Sequence, residues 1–199
     1  MARTHTPLTF STYSELRLGE HGDPRAALLK ARAAGILTTL SSDATSIAPM
    51  NMFENMRATW NMTIPWKASE TEALPLLGYY DVIEMATING ARALGLGDIT
   101  GSLTPGKRAD VILIRTDDIN VAPLANIETT IVQSATPTNV DTVIVDGRIL
   151  KRHGRLTHYD VQGIIERAIS SANRIRAAAG GVLTPILDSI ENPVFRKKC

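Results

Sequence analysis

The chain has 199 residues, 44% of them hydrophobic and 21% charged, with 21 Lys and Arg against 20 Asp and Glu and a formal net charge of +1. That length suits one domain or one and a half, and the composition excludes disorder, a collagen-like chain and a field strong enough to recruit nucleic acid unaided. Apolar runs are short and Met1-Ala-Arg-Thr-His-Thr-Pro7 has no apolar stretch, so no membrane span and no secretory signal are read, and a cytoplasmic protein is expected.

Residues 1–22 show little periodicity. Asp23-Pro24 then opens a segment that runs to Gly35, and Asp as cap, Pro at the first helical position and Gly just past the end predict a short helix. Ile36–Leu40 is a β-branched apolar run that reads as a buried strand, followed by the polar stretch Ser41-Ser42-Asp43. Helix, tight turn, strand and polar strand end form the repeating step of an α/β sheet or barrel. From Pro49, Met50, Phe53, Met56 and Trp60 recur at helical spacing until Pro65. Two further helices are predicted, one carrying Tyr80, Ile83, Ala86 and Thr87, the next running from Asn89 to a glycine cap at Gly95. Residues 98–156 read as mostly β, with strands at 109–114 and 140–145 and a type I′ hairpin at Asp146-Gly147. From Asp160, the residues Val161, Ile164, Ile165, Ala168, Ile169, Ala172 and Ile175 share one face of an amphipathic helix closed by Gly180-Gly181, and a loosely attached tail follows.

Several motifs tempt and fail. Gly101-Ser-Leu-Thr-Pro-Gly106-Lys107-Arg108 nearly matches a phosphate-binding loop, but Arg108 stands where a magnesium-binding hydroxyl belongs and the segment leads into a strand instead of a helix. It reads as a turn. His5, His21, His153 and His158 form no pair spaced to share a metal, and His153-Gly154 is a hairpin turn. Cys199, the only cysteine, excludes an internal disulfide and a multi-cysteine metal site, and it lies in a basic tail with no histidine nearby. Asp43 stands apart: it follows an uncharged strand and is flanked by Ser42 and Thr45. It either caps the next turn or serves as a metal-binding, proton-accepting carboxylate, and spacing leaves both open.

Leu40-Ser-Ser-Asp43, Met52-Phe-Glu-Asn-Met-Arg57, the stretch Asp81 to Gly95 and the stretch Gly101 to Ile114 together closely resemble the C-terminal part of the amidohydrolase superfamily, in its cytosine-deaminase and chlorohydrolase-like branch. The hairpin Val143–Leu150 fits the same pattern, and the resemblance runs over about residues 10–178. It implies an α/β fold: the C-terminal part of a (β/α)8 TIM barrel, about strands 7 and 8 with their helices, plus a small β-sandwich and a C-terminal helix. The implied domains are a partial barrel at 1–97, the β-sandwich at 98–156, the helix at 157–180 and a tail at 181–199.

The resemblance also implies a metal-dependent hydrolase of non-peptide carbon–nitrogen bonds in cyclic amidines, nucleobases or triazines. Asp43 matches the family's metal ligand and proton shuttle at the end of the eighth strand. Ser14 and Glu15 fall in the segment after the seventh strand that meets substrate, where many members have Asn at the position of Ser14. A divalent zinc or iron ion is the implied cofactor. The family's metal-binding histidines and fifth-strand acid have no counterparts, so the chain is expected to be part of a longer enzyme, to be inactive alone, and to self-associate or join a complementing N-terminal half. The rival reading is a non-catalytic interaction or assembly module derived from such an enzyme.

Overall fold

The computed structural model describes residues 1–18, 23–64 and 75–179. The chain divides into two compact units, Met1–Thr157 and His158–Cys199. After a 3-10 turn at Ala2–Thr4, the first unit has a strand that periodicity did not reveal, β1 (Leu8–Phe10), followed by α1 (Thr12–Leu18). Helix α2 (Pro24–Ala33) forms as its punctuation predicts, with Asp23 accepting from the Arg25 amide at 3.0 Å. Its far end consumes part of the expected strand. Gly35 takes φ +71° and donates to Arg32 O, while Ile36 donates to Ala31 O, so these residues close the helix and β2 is trimmed to Thr38–Leu40.

Strands β1 and β2 pair in parallel, Leu8 with Thr38, Thr9 with Thr39 and Phe10 with Leu40. All three β2 residues are buried, as parallel strands covered on both faces must be. Their hydroxyls are satisfied internally: Thr39 donates to Thr9 at 3.1 Å and Thr38 accepts from Arg32 at 3.2 Å. Helix α3 (Met52–Thr63) begins at the Asn51 cap and not at Pro49, because the Asn51 side chain accepts the Glu54 amide at 2.9 Å with its own backbone extended. Met50 therefore stays outside the helix and exposed, while Phe53 and Met56 are buried. Helices α4 (Tyr79–Ala86) and α5 (Ile88–Ala93) follow as predicted. Arg32 on α2 pairs with Asp81 on α4 at 2.5 Å, and the other Asp81 oxygen caps the Gly78 amide at 2.7 Å. Pro65 lies outside the described residues.

A four-stranded antiparallel sheet completes the unit in the order β3 (Val111–Ile114), β4 (Val140–Val145), β5 (Arg148–Arg152), β6 (Arg155–Leu156). The Asp146-Gly147 hairpin is present with φ +50° and +76°, the mirror-image turn that matches strand twist, and His153-Gly154 makes a second such turn. Where a sandwich was expected, the described residues form this single layer. The segment 98–156 is also less β than its sequence suggested. Between β3 and β4 lie a short helix α6 (Ile127–Thr129), a π-helical turn at Thr130–Ser134 and a 3-10 turn at Pro137–Asn139. Lys107, the lysine of the phosphate-loop look-alike, donates to the carbonyls of Gly97 and Thr100 and thereby closes a turn.

Segments on both sides of the expected division at 97/98 share one core. Phe10, Leu28, Leu29, Leu40, Phe53, Met56, Val82 and Met85 pack in the same cluster as Val132, Ala135 and Val140. Arg57 fastens that union, donating to Gln133 O at 3.0 Å and Ala135 O at 2.9 Å while paired with Glu54. The second unit contains α7 (Val161–Ala178), capped by Asp160, which accepts the Gly163 amide at 3.0 Å. Gly180-Gly181 and the tail with Cys199 lie outside the described residues. Among the described residues no helix is long and apolar enough to cross a membrane.

The start of β3 and the β4–β5 turn share an acid-sensitive joint. Asp110 accepts from the Thr100 hydroxyl at 2.5 Å and the Asp146 amide at 2.7 Å, and these bonds, the Thr100 one foremost, hold its carboxyl below the ordinary value. A carboxyl lowered on folding stabilises above its unfolded pKa, near 3.9, and that contribution fades as pH falls through the folded value. Urea unfolding at a series of pH values, followed by circular dichroism, is expected to show Asp110→Asn less stable than the wild type near neutral pH, with a flatter pH dependence below pH ~4.

Candidate functional site

The C-terminal end of the β1–β2 pair brings together two of the three residues singled out from sequence. Ser14 lies in the first turn of α1 and is buried. Its hydroxyl donates to Asp43 Oδ2 at 2.6 Å, across 29 residues of chain. Such a bond to a charged acceptor is short and directional, so it fixes one carboxylate oxygen and leaves the other open. Asp43 itself is exposed, in the loop after β2.

The backbone explains how the carboxylate turns back toward α1. Asp43 has φ +55°, and its amide donates to the Ser41 hydroxyl at 3.2 Å. The left-handed region costs most non-glycine residues about 1–2 kcal/mol, with Asp and Asn the best tolerated. Ser42 and Thr45, the expected neighbours, do not bond the carboxylate: Ser42 donates instead to the Met50 sulfur at 3.3 Å. The partner is Ser14, which local sequence could not indicate.

Helix α1 is held in place from two sides. Thr12 bonds Thr59 on α3 at 2.5 Å, both hydroxyls buried, and Thr59 donates onward to Asn55 O at 2.7 Å. On the next residue, burial pushes the Tyr13 phenol pKa up, reinforced by the nearby Glu54 carboxylate. Thr12 and Thr59 thus link the site helix to α3, and Arg57, paired with Glu54, links α3 to the chain before β4. The sequence offered Glu54 and Arg57 as part of a motif, but nothing in it pointed to Tyr13. Glu15, half-buried beside Ser14, makes no hydrogen bond with Asp43 among the described residues.

Asp43 could give one oxygen to a metal ion, whereas a catalytic zinc takes about three protein ligands. Among the described residues no group of three His, Cys, Asp or Glu side chains is placed to hold one. The described residues alone therefore do not fit a complete metal centre. His153 sits 3.7 Å from Asp141 in the β5–β6 turn, His5 is exposed in the first turn of the chain, and His21 and Cys199 lie outside the described residues.

A family model described as the amidohydrolase family matches residues 14–150, a span that runs from Ser14 through Asp43 to the β4–β5 hairpin. The chain belongs to the amidohydrolase family. Among amidohydrolase relatives, the 5-methylthioadenosine/S-adenosylhomocysteine deaminase of Desulforudis audaxviator is 34% identical over 176 residues, covering 88% of this chain and 39% of that protein. The 5'-deoxyadenosine deaminase of Methanothermobacter thermautotrophicus is 34% identical over 173 residues, covering 86% of this chain and 38% of that protein. The chain thus spans about two-fifths of the length of these curated relatives. The fold is shared with a zinc-bound adenosine deaminase from Xanthomonas campestris, with a TM-score of 0.74 at 24% identity over 85% of this chain and 37% of that one. The zinc-complexed atrazine chlorohydrolase of Arthrobacter aurescens matches the same share of this chain and 36% of its own, with a TM-score of 0.73 at 20% identity.

Proposed function

We propose that this chain supplies the proton-accepting carboxylate of a hydrolase that breaks a carbon–nitrogen bond in an aminated heterocycle, with adenosine-type nucleosides as the favoured substrate class. The observation that carries this reading is the Ser14 hydroxyl fixing Asp43 at 2.6 Å, beyond the C-terminal ends of two parallel strands. That end is where α/β folds present their reacting groups. In this reading β1 and β2 stand as the seventh and eighth strands of a (β/α)8 barrel. Asp43 serves as base and as one metal ligand, with zinc the favoured ion, and the remaining ligands come from outside the described residues. Ser14 orients Asp43, and Glu15 meets the substrate. Adenosine derivatives are preferred over triazines because the relatives at 34% identity carry nucleoside-deaminase names, while the triazine enzyme shares only 20%.

The test mixes the 199-residue chain with a separately expressed segment of the Desulforudis relative that carries the part of that protein this chain does not match. Ammonia release is then measured from 5'-methylthioadenosine and S-adenosylhomocysteine, and chloride release from atrazine, with zinc present. Turnover of the two nucleosides on mixing supports the proposal. Turnover of atrazine alone overturns the substrate class, and a stable complex without turnover of any of them favours an assembly module.

A further inference from the structure

Helix α7 turns its apolar residues to solvent: Val161, Ile164, Ile165, Ile169 and Ile175 are 44–60% exposed. Within that face Val161, Ile165, Ala168, Ala172, Ile175 and Ala179 recur at alternating steps of four and three residues, the spacing of a coiled-coil seam. We propose that this seam pairs with the same helix of a second copy of the chain, running antiparallel about Ser170.

The register is self-complementary. Centred on Ser170, it sets Ile165 against Ile175 of the second copy, Ala168 against Ala172, and Val161 against Ala179, and each layer recurs by symmetry. Small central layers flanked by isoleucine let the two backbones approach to about 8 Å while the ends still fill. Ile169 lies on the flank of the seam and meets Ile169 of the second copy.

Charge selects the direction. The acids of this helix, the Asp160 cap and Glu166, lie toward its N-terminus, and Arg174 and Arg176 lie toward its C-terminus. Antiparallel pairing sets Glu166 on the same flank as Arg176 of the second copy and within two residues of its level, twice per dimer. Among the described residues those two side chains have partners on their own helix: Glu166 accepts from Gln162 at 3.1 Å and Arg176 donates to Asn173 at 3.1 Å. A parallel pair would stack acid on acid and base on base, with the helix dipoles aligned instead of opposed. An interface of one helix is small, so association should be weak and dependent on concentration.

The test uses sedimentation and disulfide trapping of the full chain in a Cys199→Ser background. The wild-type sequence should dimerise as concentration rises, and Ile165→Glu with Ile175→Glu should leave it monomeric. Glu166→Arg and Arg176→Glu should each weaken the dimer, by roughly tenfold for two pairs, and the double variant should restore it. Ser171→Cys, beside the two-fold axis, should form a disulfide-linked dimer, and Val161→Cys should not. A monomer at every concentration overturns the proposal. So does an association that survives the two glutamates, which would move the contact to another face, and trapping through Val161→Cys would replace the antiparallel pair by a parallel one.

Discussion

Asp43→Asn is expected to abolish deamination in the complemented enzyme while leaving the fold nearly unchanged. An amide matches the carboxylate in shape, and Asn is the other residue that tolerates the left-handed backbone found here, φ +55°. The Ser14 hydroxyl can still donate to its oxygen, so the geometry at 2.6 Å is retained. What disappears is the capacity to accept a proton from attacking water, a contribution of roughly 10²–10⁴-fold for a positioned general base. The loss should fall on kcat with KM little changed, because the group acts on the reacting atoms in the transition state. Ser14→Ala should cost less, since it frees the carboxylate to rotate without removing it. The two variants measured side by side, with thermal melts for each, separate the roles. Full activity of Asp43→Asn sinks the assignment of Asp43 as the base.

How much of this was legible beforehand depended on whether the signal was local. Helix α2 and the Asp146-Gly147 turn were readable because each is specified by a few adjacent residues with fixed backbone preferences: Asp23, Pro24 and Gly35 in one case, a positive-φ pair in the other. Strand β1 was not, since three residues, Leu8–Phe10, are too few to display a period of two. The helical turns at 127–139 were missed for a different reason. Their Thr- and Val-rich sequence favours strand, and the decisive features are the Asn126 cap on the Thr129 amide and side-chain bonds made by Asn139. The site shows the same contrast. Asp43 drew attention from its place after an apolar run, and family resemblance put Ser14 and Asp43 at one end of the barrel. Their hydrogen bond depends on the parallel register of β1 with β2, a tertiary fact.

Removing the Asn139 side chain is expected to be the most destabilising single polar change in the first unit, because its amide is fully enclosed and fully used. Asn139 is 1% exposed. Its nitrogen donates to Asp118 at 2.7 Å and Asn120 at 3.0 Å, and its oxygen accepts the Thr136 amide at 2.9 Å, the Thr136 hydroxyl at 3.0 Å and the Asn120 amide at 3.0 Å. Asn139→Leu keeps the branched shape, in a slightly larger side chain, and strands those partners, and with about 1–3 kcal/mol for each buried group left unpaired the loss should reach about 3–5 kcal/mol. Asn139→Asp should be at least as damaging at neutral pH, since it turns the two donated bonds into contacts between Asp118, the Asn120 oxygen and a new carboxylate. Because Asn139 immediately precedes β4, and its own carbonyl accepts the Arg115 amide at 2.8 Å, the damage should spread into the β3–β4 pairing. Urea unfolding should show a lower midpoint with an unchanged slope for Asn139→Leu, the signature of lost stability in a state of the same compactness. A loss below about 1 kcal/mol would mean that water replaces the amide, and that the loop between β3 and β4 is held by the Val132, Ala135 and Val140 packing instead.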